Sequence, residues 1–248
     1  MFARGLEPAL VAEGVVRLGT DLVGWFLVET EGRVVAVDAG LPGYRPQLEA
    51  GLAVLGRRPA DLEAVVLTHS HGDHTGGAAA LRRELGAAVH VHEAEAEAVR
   101  TAASIGKSEA SQTPYLRHPH AWRLLAHFRE CGSPEPVPEV EPFADGALLP
   151  GGLRAIHTDG HTPGHCVFHL ESRGALFAGD LICTRNPLTG ARGPELVPRP
   201  LNVSSAQMLA SLDRLDGLEA PHLLVGHGPP WTGGLTAALA RVRGVGPT

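Results

Sequence analysis

Residues 62–77 read LEAVVLTHSHGDHTGG: a short apolar run, then His69, His71, Asp73 and His74 within six positions. The run 62–68 is β-branched and nearly continuous, as in a strand covered on both faces within a parallel sheet. Metal-type side chains just past such a strand sit on a turn held by a rigid scaffold, where functional groups concentrate. This reading sets the fold class at α/β.

The flanking sequence continues the pattern. Val-rich stretches at 14–18 (GVVRL), 23–29 (VGWFLVE) and 33–38 (RVVAVD) are bounded by turn residues and predict strands joined by hairpins, with a helix at 44–56. Beyond the motif, AAALRRELG predicts a helix stopped at Gly86, AAVHVH a strand and EAEAEAVRTAAS a second helix. Residues 101–145 break the rhythm. A helix is expected at about 119–130, with Pro119 near its start and Gly132 past its end, and SPEPVPEVEP follows as an extended connector. Tyr115, Trp122, Phe128 and Phe143 gather here in a chain that is 4% aromatic, which suits either a packing insertion or a substrate lid.

From 152 the strands return as LRAIHT, HCVFHLE and ALFAGD. A Gly/Pro/Arg loop is expected at 182–203, then a helix at 204–217 with Ser204 and Gln207 as a capping box. The strand HLLVGH (222–227) and a terminal helix close the chain. Strands followed by helices in each half predict a layered architecture with helices outside the sheets.

Composition narrows the function. The chain has 248 residues, 44% of them apolar and 19% charged, enough for one large globular domain or two small ones with a sizeable core. A net charge of −6 argues against binding nucleic acid through a basic face. The N-terminal MFARGLEPALVAEG has no apolar stretch of leader type, and no run approaches the ~18 apolar residues of a membrane span. Cys131, Cys166 and Cys183 lack metal-type spacing and are expected as reduced thiols. A cytoplasmic protein acting on a small molecule is the expectation, with neither nucleic acid nor membrane as partner and homo-oligomerisation left open.

Three further places repeat the pattern of a strand end followed by a metal-type ligand: His161 in DGHTPGH, Asp180 in LFAGD and His227 in VGHG. Imidazole and carboxylate suit zinc, and also iron or manganese. Within HxHxDH, His69 and His71 can address one ion and Asp73 and His74 another. His161 would complete the first set and His227 the second, while Asp180 has two oxygens and could bridge. His90, His92, His118, His120, His127, His157, His169 and His222 are expected as exposed, capping or packed residues.

The motifs THSHGDH, GHTPGH, FAGD and GHG, in this order, resemble the metallo-β-lactamase superfamily, as do the opening strands and VVAVDAG. The resemblance covers most of 14–230 and implies a four-layer αββα sandwich over 1–248, with 101–145 as a helical, Pro-rich insertion. It implies a first metal on His69, His71 and His161, a second on Asp73, His74 and His227, and Asp180 between them. Asp38 matches a recurrent acidic position and would orient a ligand histidine. By the same resemblance Asp73 would also orient the nucleophile or relay its proton.

The expected activity is hydrolysis of an ester, thioester or lactone by hydroxide bridging two divalent ions, zinc first, with iron or manganese as alternatives. The family's true lactamases are exported and one class has Cys where this chain has Asp180, which disfavours an antibiotic hydrolase. Glyoxalase II matches the ligands but carries a further helical region; lactonases share ligands and size. Two other readings stay open: a mononuclear iron persulfide dioxygenase, which needs fewer of these ligands, and a non-catalytic metal-binding protein. Arg185, Arg192 and Arg199 could recognise an anionic group or stay solvated, and His165 is expected behind the ligands or facing substrate.

Overall fold

The computed structural model describes residues 5–248; the first four, part of the stretch read above for a leader, lie outside the described residues. One sheet runs in chain order: β1 (Ala9–Ala12), β2 (Val15–Gly19), β3 (Gly24–Thr30), β4 (Arg33–Val37), β5 (Leu62–Val66), β6 (Ala88–His92) and β7 (Glu141–Phe143). Its first four strands are antiparallel neighbours, and β4 to β7 run parallel. The second sheet contains β8 (Leu148–Leu149), β9 (Leu153–His157), β10 (Cys166–Leu170), β11 (Ala175–Gly179) and β14 (His222–Val225), ordered β14-β11-β10-β9-β8. Between β11 and β14 the chain makes a hairpin, β12 (Ile182–Arg185) with β13 (Arg192–Leu196).

Side-chain alternation explains the layering. On β4, Val34 and Ala36 face α1 (Gln47–Val54) and α3 (Ala78–Leu85), while Val35 and Val37 face the second sheet. On β11, Ala175 and Phe177 face the first sheet, whereas Leu176 and Ala178 pack under α6 (Ser205–Ser211) and α7 (Leu235–Val245). Three apolar cores therefore separate four layers, helix–sheet–sheet–helix. Phe26 and Phe177 lock the two sheets edge to face, with ring centroids 5.4 Å apart.

The loop expected at 182–203 is mostly the β12–β13 hairpin. Asn186 makes this turn: its Oδ1 accepts from the backbone N–H of Leu188 (3.0 Å) and Thr189 (2.9 Å), an Asx turn that brings the strands together. The helix expected at 204–217 is α6 followed by a tighter 3-10 turn, with Ser204 Oγ accepting from the Gln207 N–H at 3.3 Å. In the insertion, α4 (Ala96–Thr101) leads to α5 (Pro119–Cys131), which buries Ala121, Leu124 and His127. His127 Nε2 lies 2.6 Å from the Tyr44 hydroxyl, which also meets Thr20 Oγ1 at 2.7 Å. This chain of contacts seats α5 on the body of the protein. Trp122 stays exposed, while Phe143 packs between the sheets.

Candidate metal centre

All seven proposed ligands lie at one edge of the sandwich, where strand ends of both sheets meet. His69 and His71 follow β5 in extended backbone, and His71 begins the short helix α2 (Gly72–Thr75), whose first turn carries Asp73 and His74. The tight spacing thus aims two pairs of side chains differently. Gly76 and Gly77 continue this segment against residues 39–42; a Cβ at Gly76 would lie 2.6 Å from the Gly40 carbonyl oxygen, so only glycine fits.

Two groups form. His69, His71, His161 and Asp180 make one, and Asp73, His74 and His227 the other, with ligand atoms within 4.8 Å of one another in each. His161 Nε2 is 3.2 Å from His69 Nε2 and 2.9 Å from His71 Nδ1. Asp180 stands between the groups: Oδ1 is 3.3 Å from His74 Nε2, and Oδ2 is 3.3 Å from His227 Nε2 and 3.4 Å from His161 Nε2. Asp73 Oδ2 is 3.4 Å from His227 Nε2 and 3.7 Å from His74 Nε2.

Their outer partners fix which ring nitrogen is bare. His227 Nδ1 donates to the Leu22 carbonyl at 2.7 Å, and His74 Nδ1 donates to Asp38 Oδ2 at 2.7 Å. Asn202 Nδ2 donates to the Val197 carbonyl, so its Oδ1 accepts from His161 Nδ1 at 2.9 Å. The Thr68 hydroxyl donates to Asp38 and therefore accepts from His69 Nδ1 at 3.0 Å. The Nε2 lone pairs of His69 and His161 consequently face each other with no proton between them. His74 Nε2 and Asp180 Oδ1 are buried without a hydrogen-bond partner. Buried lone pairs left this way are costly, and cations relieve both faults. The donor set of imidazole nitrogens and carboxylate oxygens fits divalent metals of the zinc, iron and manganese type.

Electrostatics divide the cage. Burial, reinforced by the neighbouring histidines, holds His69 well below the usual imidazole range, and burial also lowers His161 and His71. On the other side burial opposes charge too, but Asp38, Asp180 and Asp73 outweigh it and hold His74 well above its ordinary value. Asp180 and Asp73 likewise overcome burial at His227 and raise it to about 9. The carboxylate-rich half thus favours protons, whereas the three-histidine half stays neutral, with ring lone pairs available to a cation.

Asp38 adopts a left-handed φ of 60°, unusual for a non-glycine residue. Its carboxylate repays that strain by accepting from the Thr68 N–H at 2.8 Å as well as from His74. His165 lies behind the cage: Nε2 accepts the backbone N–H of Asp180 at 3.0 Å and Nδ1 meets Thr158 Oγ1 at 3.0 Å, with burial holding it near 3, so it stays a neutral acceptor. Arg185 pairs with Asp21 and Arg199 with Glu109, leaving Arg192 exposed.

Sequence reasoning missed Glu95. This fully buried carboxylate accepts from the N–H and hydroxyl of Ser70 and, at 2.7 Å, from the Gly164 N–H, tying the His69–His74 turn to the His161 turn. Within EAEAEAV it looks like one charge of a solvated helix face; only the apolar residues on either side of the 93–99 segment hinted at burial. Replacing Glu95 by Gln puts an amide donor among donors and is expected to cost about 2–3 kcal/mol of stability, measured by urea unfolding.

Two clefts reach the cage. One, about 270 Å³, contains His71 and His161 and is walled by Ser104–Ser108, Gln112 and Pro200–Val203. The other, about 310 Å³, contains Asp73 and is walled by Phe128–Pro134. The 101–145 insertion therefore supplies a wall of both.

A family model described as the metallo-beta-lactamase superfamily matches residues 18–227. An exodeoxyribonuclease, WalJ, of Streptococcus pneumoniae is 36% identical over 87 residues, 35% of this chain but only 32% of the nuclease. A hydroxyacylglutathione hydrolase of Rhodobacter capsulatus is 31% identical over 165 residues, 65% of this chain and 48% of that enzyme. These alignments thus span about a third to a half of the relatives' own length. Among solved structures, a B3 metallo-beta-lactamase with an active-site glutamic acid is similar at a TM-score of 0.65 and 25% identity, covering 95% of this chain and 85% of that one.

Proposed function

This chain belongs to the metallo-beta-lactamase superfamily of metallohydrolases, and from that premise we propose that it is a two-metal hydrolase of a small ester, thioester or lactone. The observation that carries the reading is the pair of ligand groups meeting at Asp180, with opposed bare Nε2 atoms and the unpartnered Asp180 Oδ1 in one and the unpartnered His74 Nε2 in the other. His69, His71 and His161 would hold one ion and Asp73, His74 and His227 the second, with Asp180 shared. When bound, such ions polarise an acyl oxygen and lower the pKa of water from ~15.7 to about 7. Zinc is the expected metal, with iron and manganese compatible with the same donors.

The protein's own part is orientation and proton handling. Asp73 is the one ligand carboxylate that also lines a cleft, which supports a role in which it would orient the attacking water and take its proton. Asp38, Asn202, Thr68 and the Leu22 carbonyl keep the ligand rings in one tautomer through the cycle. The cage walls exclude bulk water, which strengthens each interaction inside.

A small substrate is favoured over nucleic acid by the net charge of −6 and by the small volumes, about 270 and 310 Å³, of the clefts between the cage and the 101–145 wall. The complete second ligand set favours two metals over the single iron of a dioxygenase. Among the described residues no helix is long and apolar enough to cross a membrane. The free thiols of Cys131, Cys166 and Cys183 fit a reducing compartment, and we place the protein in the cytoplasm on that basis. The test is turnover by the zinc-loaded protein of a hydroxyacylglutathione, an acyl lactone, nitrocefin and single-stranded DNA. Hydrolysis of the thioester or lactone is expected to dominate; preferential cleavage of DNA would make it a nuclease, and no turnover would return it to a metal-binding protein.

A further inference from the structure

A cleft of about 500 Å³ lies beside the cage without containing any of its ligands. It borders Gly228, the residue after His227, and its walls are largely apolar, with Val11, Pro229 and Trp231 among them. Its cations are unusual. Arg17 is 6% exposed and forms no salt bridge among the described residues. Its Nη2 donates only to the carbonyls of Thr20 (2.8 Å) and Gly228 (3.3 Å), its Nε is buried without a partner, and its Nη1 makes no hydrogen bond within the described protein.

The neighbouring carboxylate is already committed. Asp21 gives both oxygens to Arg123 at 2.7 Å each, and Oδ2 also takes Arg185 Nη1 at 3.0 Å. Arg185 Nε, like that of Arg17, is buried and unpartnered. Arg123 and Arg185 therefore share the one buried-side carboxylate, and Arg17 beside them has none, leaving a local excess of positive charge. His120 registers this field: burial first, then Arg185 and Arg123, push it down to about 4. A buried guanidinium short of an anion is unfavourable unless something completes it. Arg17 is the buried arginine of the lining without a carboxylate, Glu7 and Arg192 standing exposed at its rim, and the walls are largely apolar; the missing group is therefore a single carboxylate on an apolar body rather than a strongly hydrated phosphate.

We propose that this cleft is a second, non-catalytic binding site for a small carboxylate-bearing amphiphile, its anionic end on Arg17 and its apolar body along Val11, Pro229 and Trp231. The site stands apart from the cage, so its test does not depend on what the cage hydrolyses.

The experiment is calorimetric titration of the full, metal-loaded chain with octanoate and, in parallel, 1-octanol. One octanoate per chain is expected, bound at least about tenfold tighter than the alcohol, the difference that a charge-assisted hydrogen bond supplies. Arg17→Gln is expected to remove that advantage. Ala9→Trp, on the exposed edge strand and paired across from Arg17, fills the cleft and should weaken octanoate equally; it decides the matter if Arg17→Gln does not fold. Absence of binding, equal binding of the alcohol, or octanoate binding that Ala9→Trp leaves unchanged (as for a carboxylate seated on the metals) would each overturn the proposal.

Discussion

Asp180→Asn is expected to reduce hydrolysis by about 10³-fold or more and to lower the metal content below two ions per chain. The carboxylate faces nitrogen atoms of both ligand groups at 3.3–3.4 Å and is buried, so no water can replace it cheaply. An amide keeps the shape but removes the negative charge that two ions would share, and each 1.36 kcal/mol of lost stabilisation is tenfold in rate. The fold should survive, because Asp180 contributes to no apolar core and its backbone N–H bond to His165 is retained. Steady-state kinetics and elemental analysis on the same preparation check both halves. Full activity with two metals in the variant would show that Asp180 is not shared.

Metal removal is the second large effect. Ligands that bind only the folded chain stabilise it by about 4 kcal/mol when free metal stands a thousandfold above Kd. At roughly 2–4 °C per kcal/mol for a domain of 150–250 residues, stripping should lower Tm by about 8–16 °C for each site emptied, and zinc should restore both Tm and turnover. The stripped cage also changes its protons. His74 and His227 are both raised by the surrounding carboxylates, His227 to about 9, so at pH 7.5 His227 holds a second ring proton that incoming metal must expel. Apparent metal affinity should therefore rise as pH increases from 6 toward 9. Calorimetry in buffers of different ionisation enthalpy reads that proton release directly; a pH-independent affinity would contradict the charge division of the cage.

How much of this was legible in the sequence depends on whether a signal was local. The runs behind β4 and β5 are almost continuously apolar because each strand is covered by helices on one face and a sheet on the other, and that continuity is visible in VVAV and, apart from Glu63, in LEAVVL. The ligand-bearing turns were legible because His and Asp are rare immediately after such strands. Asp38 was readable only through resemblance, and the structure supplies its partners, Thr68 and His74. The β12–β13 hairpin was hidden because TRNPLTGARGPEL carries loop-type residues, and the Asx turn at Asn186 outweighs them. Glu95 and His165 were obscure for a different reason. Their work is done across long sequence separations, from Glu95 to Gly164 and from His165 to Asp180, which no local pattern records.

The most direct measurement is metal content per chain by plasma mass spectrometry, on protein purified without chelator or affinity tag and assayed for thioester and lactone hydrolysis in the same sample. The account predicts about two equivalents of zinc, or of zinc mixed with iron or manganese, and activity that rises with occupancy. About one equivalent of iron with oxygen consumption on persulfides, or a chain that takes up no metal at all, would contradict it.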